Sequence, residues 1–186
     1  ALLAGDALQT LAFSLLAEKV LADSPERQLD MVQLLARASG SLGMAGGQAI
    51  DLESVGKPLS LPELEFMHIL KTGALIRASV NLGAMCGQAL DAHAMQKLDH
   101  YAKCVGLAFQ VVDDVLDADA STATLGKTAG KDAVNNKPTY VSLLGLAQAR
   151  ELARSLCADA HDALRDFGDG ASRLRQLADF IVKRTY

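Results

Sequence analysis

Gly106-Leu107-Ala108-Phe109-Gln110-Val111-Val112-Asp113-Asp114-Val115-Leu116-Asp117 is the stretch from which the chain is best read. Together with the residues before it, it sets Leu98, Tyr101, Ala102, Val105, Ala108, Phe109, Val112 and Leu116 at three- and four-residue intervals. That spacing predicts a helix from about Ala94 to Ala118 with one apolar side. On such a helix Asp113, Asp114 and Asp117 project to neighbouring positions, with Cβ atoms about 5–6 Å apart where they are three or four residues apart. Three carboxylates so close repel one another, and the C-terminal end of a helix disfavours anions further. A hard divalent cation relieves both problems, and Mg²⁺ favours carboxylate, water and phosphate oxygens.

A solvated acidic helix end is the competing explanation of such a pentapeptide, and the neighbours decide between them. Gln110 lies three residues before Asp113 and shares its face. Lys127, Lys131 and Lys137 fall in a predicted loop, Asp119 to Lys137, from which ammonium groups can return over the carboxylates. Metal on one side and lysine charges on the other is how a protein holds a diphosphate.

Outward from this helix the remaining pattern is also helical. Segments are predicted over Leu2 to Ala22, Pro25 to Asp51, Pro62 to Cys86, Pro138 to Phe167 and Ser172 to Arg184. Ser24 precedes Pro25 as an N-cap would, and Ser60-Leu61-Pro62-Glu63 has the form of a capping box. Half the residues are apolar but only 4% are aromatic, so Leu and Ala fill the interior, as closely packed helices require. We expect an all-α fold, a single domain over residues 1–186, and a bundle of roughly six helices.

Two further stretches stand out. Gly40, Gly43, Gly46 and Gly47 crowd eight residues, at a cost of about 1 kcal/mol each against Ala in an exposed helix. They fit a place where another backbone or a ligand comes close, and Gln48 and Asp51 follow at i, i+3 spacing. Lys71-Thr72-Gly73 sets a charge in apolar surroundings, and Gly73 suggests a helix irregularity that frees the Thr72 hydroxyl and a backbone carbonyl. A lysine snorkelling from a helix surface and an ordinary helix terminus are the plain alternatives for these two.

The net charge of −4 gives no reason to expect nucleic acid or an anionic membrane as partner. No apolar run reaches the length needed to cross a bilayer, and Asp6, Gln9 and Thr10 interrupt the first apolar stretch. Cys86, Cys104 and Cys157 follow no paired spacing, so buried free thiols in a reducing, cytoplasmic setting are expected.

Gly46-Gly47-Gln48-Ala49-Ile50-Asp51-Leu52, Lys71-Thr72-Gly73-Ala74-Leu75-Ile76, the Gly106 to Asp117 stretch and Leu125-Gly126-Lys127 together resemble the polyprenyl synthetase family, in matching order along the whole chain. The resemblance implies an isoprenoid synthase-type helical bundle around a central cavity, commonly a homodimer. It implies Mg²⁺-dependent condensation of isopentenyl diphosphate with an allylic diphosphate to a short-chain product such as farnesyl diphosphate. It assigns Asp113, Asp114 and Asp117 to metal, with Asp113 the foremost ligand. It assigns Lys71, Lys127 and Lys137 to the allylic diphosphate, and Thr72, Gln110 and the Lys71 carbonyl to the developing cation. Gln48 and Asp51 become lining residues, and Lys183 and Arg184 match a basic terminus that folds over the isopentenyl site in relatives.

The family's first aspartate-rich motif and its isopentenyl-binding residues are expected upstream of Ala1, so residues 1–186 alone are expected to be inactive. A catalytically silent regulatory subunit remains an alternative, although it would have less reason to keep Asp113, Lys71 and Gln110. A class I terpene cyclase is a second, disfavoured by the scarcity of aromatics to shape a cyclising cation.

Overall fold

The computed structural model describes residues 2–86, 89–123 and 138–185. Among them there is no strand. The helices are α1 (Leu2–Glu18), α2 (Pro25–Ser39), α3 (Met44–Glu53), α4 (Leu61–His68), α5 (Ala74–Met85), α6 (Ala92–Ala123), α7 (Tyr140–Leu144), α8 (Leu146–Ala163) and α9 (Ser172–Lys183). A π-helical turn, Ile69–Gly73, joins α4 to α5, and a 3₁₀ stretch, Arg165–Ala171, leads into α9.

The all-α expectation holds, but among the described residues there are nine α-helices where about six were predicted. Three predicted segments are each divided. The Pro25 to Asp51 segment breaks after Gly40, where the backbone turns extended. The Pro62 to Cys86 segment is interrupted by the π-turn. The Pro138 to Phe167 segment breaks at Gly145, whose φ of 81° lies in the left-handed region open to glycine without strain. In the opposite direction, α6 outruns its predicted end: Asp119, expected to open a loop, is helical and pairs with Arg150 at 2.5 Å.

The predicted starts of α2 and α4 are as expected. Ser24 Oγ accepts from the Arg27 amide at 3.2 Å. Before α4, the Glu63 carboxylate accepts from the Ser60 amide at 2.8 Å and from its hydroxyl at 2.6 Å. The hydrogen bond from the Ser60 hydroxyl, and then that from its amide, hold the Glu63 pKa below its ordinary value.

Helix α6 is the axis of the fold and makes its most extensive contact with α8. Ala102 and Ala108 of α6 and Ala149, Ala153, Ala160 and Ala163 of α8 are buried, and their small side chains let the two helices run close. One core cluster surrounds the first half of α6, where Leu98, Tyr101 and Val105 meet Ala178 and Ile181 of α9. A second surrounds its later half, where Val111, Val112 and Val115 meet Leu64 and Met67 of α4 and Tyr140 of α7. A third joins Leu16, Met31 and Leu35 of α1 and α2, with Leu75 and Leu82 of α5 against it. Burying each such Val, Leu or Met stabilises the fold by about 1.5–3 kcal/mol. Of the cysteines, Cys104 is buried and Cys157 half-buried, but Cys86 is exposed at the end of α5, against expectation. All three are free thiols.

Candidate active site

The π-turn is the centre of the site. It lies between α3 and α6, and two glycines make room for it. A Cβ on Gly47 of α3 would sit 2.1 Å from the Lys71 amide nitrogen and 2.5 Å from its Cα. A Cβ on Gly106 of α6 would sit 3.3 Å from Gly73 Cα. The glycine-rich stretch therefore serves backbone approach, and the backbone approached is that of Lys71. A π-turn widens the helix by one residue locally, a distortion frequent at functional sites.

From this turn Lys71 Nζ reaches Asp51 Oδ2 at 2.8 Å. Asp51 is buried and Lys71 half-buried, so the pair stands at a cleft wall partly shielded from bulk water. The cleft, about 360 Å³, brings Asp51, Lys71, Gln110, Asp113, Asp114 and Asp117 together. Gln110 is buried. Three carboxylates of α6 thus face a lysine delivered from α3's neighbouring turn, although the residues lie up to 66 positions apart in sequence.

The aspartates are held by different partners. Asp113 Oδ1 accepts from the Arg184 guanidinium, which also donates to the Phe109 carbonyl at 3.1 Å and lies 4.2 Å over the Phe109 ring. Asp114 Oδ2 accepts from the Tyr140 amide at 2.7 Å, fixing the start of α7 against α6. Asp117 lines the same cleft. A basic tail residue, Arg184, is thus the cation beside Asp113. Lys183, its neighbour, pairs with Asp179 at 3.5 Å.

Gln48 lies exposed on α3, outside these contacts, while Asp51, three residues on, is buried. Thr72 is half-buried in the π-turn. Lys127, Lys131 and Lys137 lie outside the described residues.

The sequence reading missed His68, Tyr140 and the Pro138–Thr139 approach. His68 ends α4, is buried, lines the cleft and stacks on Tyr140 with centroids 5.6 Å apart. Burial, then the charges of Glu65 and Asp114, push the Tyr140 phenol well above its ordinary pKa, so it stays neutral. Thr139 lines the cleft and caps α7, its Oγ1 accepting from the Ser142 amide at 3.0 Å. No local pattern marks His68; only the packing of α4 against α7 brings it in.

The sequence pattern of the polyprenyl synthetase family matches residues 1–167. The chain belongs to the polyprenyl synthetase family. It is 50% identical to the farnesyl diphosphate synthase of Escherichia coli (strain K12), over 99% of this chain and 63% of that protein. Its fold matches geranylgeranyl pyrophosphate synthetase of Pyrococcus horikoshii with a TM-score of 0.84 at 28% identity, over 98% of this chain and 66% of that one. It also matches the geranyltransferase of Helicobacter pylori, solved with magnesium and isoprenyl diphosphate, with a TM-score of 0.77 at 31% identity. That match covers 97% of this chain and 58% of the other. The chain thus spans less than two thirds of the length of the curated relative. These family members share its all-helical isoprenyl synthase fold.

Proposed function

We propose that this chain carries the metal- and diphosphate-holding part of a Mg²⁺-dependent short-chain prenyl diphosphate synthase. The reaction joins isopentenyl diphosphate to an allylic diphosphate, with a product such as farnesyl diphosphate. The observation that carries this reading is the cleft that gathers Asp113, Asp114 and Asp117 with Lys71 and Gln110.

The donor set fits Mg²⁺, because all three side chains offer hard carboxylate oxygens and one already engages a cationic guanidinium. Asp113 and Asp117, with Asp114 beside them, would hold the ion, which supplies positive charge that stabilises a departing diphosphate. Lys71 adds a donor charge to the diphosphate. Its tie to Asp51 holds the ammonium group at the cleft wall. The Gln110 amide oxygen and the Thr72 hydroxyl offer oxygen dipoles to positive charge developing on the allyl group, where prearranged dipoles act most strongly. Lys127 and Lys137 would add further charge to the diphosphate.

The free cysteines fit a reducing cytoplasm. Exposed Leu8, Leu11 and Leu15 of α1, at three- and four-residue spacing, offer an apolar face suited to a second copy in a homodimer. Among the described residues no helix is long and apolar enough to cross a membrane. Residues 1–186 carry one aspartate-rich motif, so turnover is expected from the full-length protein and not from this stretch alone. Incubating the full-length protein with dimethylallyl and isopentenyl diphosphates tests the reading. A longer prenyl diphosphate should form with Mg²⁺ and disappear with chelator; no product under any divalent metal would refute it.

A further inference from the structure

Where α8 and α9 pack against the first core cluster, three different donor groups meet. Cys157 and His161 are four residues apart on α8, so their side chains emerge one turn apart on one face. Asp179 of α9 lies opposite. His161 Nε2 is 3.0 Å from Asp179 Oδ1, and Cys157 Sγ is 3.8 Å from that same oxygen. All three donor atoms lie within 4.8 Å of one another. We infer that Cys157, His161 and Asp179 form a second metal site, for a zinc-type divalent cation, distinct from the α6 aspartates.

The donor chemistry separates the two sites. Thiolate, imidazole and carboxylate together suit Zn²⁺, whereas Mg²⁺ favours oxygen donors alone. Around a tetrahedral Zn²⁺ with its usual bond lengths, neighbouring N and O donors stand about 3.4 Å apart and S and O donors about 3.6 Å apart. The observed separations bracket these values, so sub-ångström side-chain shifts complete the geometry. Lys183 Nζ holds the other oxygen, Asp179 Oδ2, at 3.5 Å. That contact turns Oδ1 toward the thiol and the imidazole, as an outer partner orients a metal-ligating carboxylate.

A plain His161–Asp179 ion pair would not need Cys157 directed at the same oxygen. In the metal-free state burial, the Asp179 charge and the hydrogen bond to it raise the Cys157 pKa, against a smaller lowering by Lys183. Metal binding reverses the balance: the cation takes the sulfur lone pair, and the thiol proton leaves to solvent with no change of oxidation state. The half-buried position leaves the fourth coordination place open to water. The ion would tie α8 to α9, the helix whose end presents Arg184 to Asp113.

Titrating the protein with Co²⁺ reads the site directly, because thiolate ligation gives an intense near-ultraviolet charge-transfer band that aspartate ligation does not. The inference expects such a band, saturating at one equivalent and displaced by Zn²⁺. It should be absent in Cys157→Ser. In His161→Ala and Asp179→Asn, Zn²⁺ binding should weaken by at least about tenfold, with unchanged helical circular dichroism. Cys86→Ser and Asp113→Asn should retain the band. No charge-transfer band in the wild-type protein, or a band that persists in Cys157→Ser, would overturn the inference.

Discussion

The two halves of α6 carry acids in contrasting ways. In the first half Asp99 is closed into local charge: Arg77 pairs with it, Lys103 lies at 2.9 Å and Asn81 at 3.2 Å. Burial raises its pKa, but those contacts outweigh burial and hold it below the ordinary carboxylate value. Tyr101 beside it is equally settled, with its hydroxyl donating to the Leu174 carbonyl at 2.8 Å. In the second half three aspartates share one cleft, with Arg184 at Asp113 and a backbone amide at Asp114. The same helix thus keeps one acid electrostatically closed among cations at one end and gathers three acids into one open cleft at the other. In the proposed function, the open cleft is the end that takes an external cation.

The sharpest way to break this comparison is to remove an acid from each end. In the full-length protein, Asp113→Ala should lower prenyl transfer by about 10²–10³-fold, as loss of a preorganised electrostatic group does. Asp99→Ala should leave the rate within a few fold. Steady-state kinetics with Mg²⁺ checks both, and equal losses would erase the distinction between the ends.

The next effect is structural. Gly47→Ala forces a methyl group onto the backbone of Lys71 and should destabilise the protein by about 3 kcal/mol, read from urea midpoints. Gly145→Ala, with nothing near its Cβ, tests backbone strain alone and should cost about 1–3 kcal/mol.

The smallest effect concerns the closed end. Because folding lowers the Asp99 pKa, its ion pairs contribute stability above the ordinary carboxylate pKa. That contribution is lost as pH falls through the lowered value. Lys103 is more than half exposed and Arg77 nearly so, so only about 0.2–1 kcal/mol is at stake. Asp99→Asn should flatten the acid limb of the stability curve by that amount in denaturant titrations across pH 2–6.

These contrasts also explain what the sequence could and could not reveal. The apolar stripe of α6 and its aspartates were legible because helical spacing dictates both. The crowding of glycines announced a close approach, although only the fold identifies its partner as the Lys71 turn. The breaks after Gly40 and at Gly145 were hidden, because apolar residues continue on both sides and a lone glycine is compatible with a helix. His68 and Tyr140 entered the cleft unannounced because their placement depends on α4 packing against α7, a contact between residues 72 apart. Lys183 and Arg184 were read together as a basic terminus, yet adjacent helix-end positions point apart. One reaches Asp179 and the other Asp113.

The central claim is that the open end of α6 holds diphosphate through a divalent cation. Calorimetric titration of inorganic diphosphate into the protein, with Mg²⁺ and with chelator, measures this directly. The account predicts saturable binding that requires Mg²⁺ and is lost in Asp113→Asn and Lys71→Ala. Binding of equal strength in chelator, or unaltered by Asp113→Asn, would contradict it.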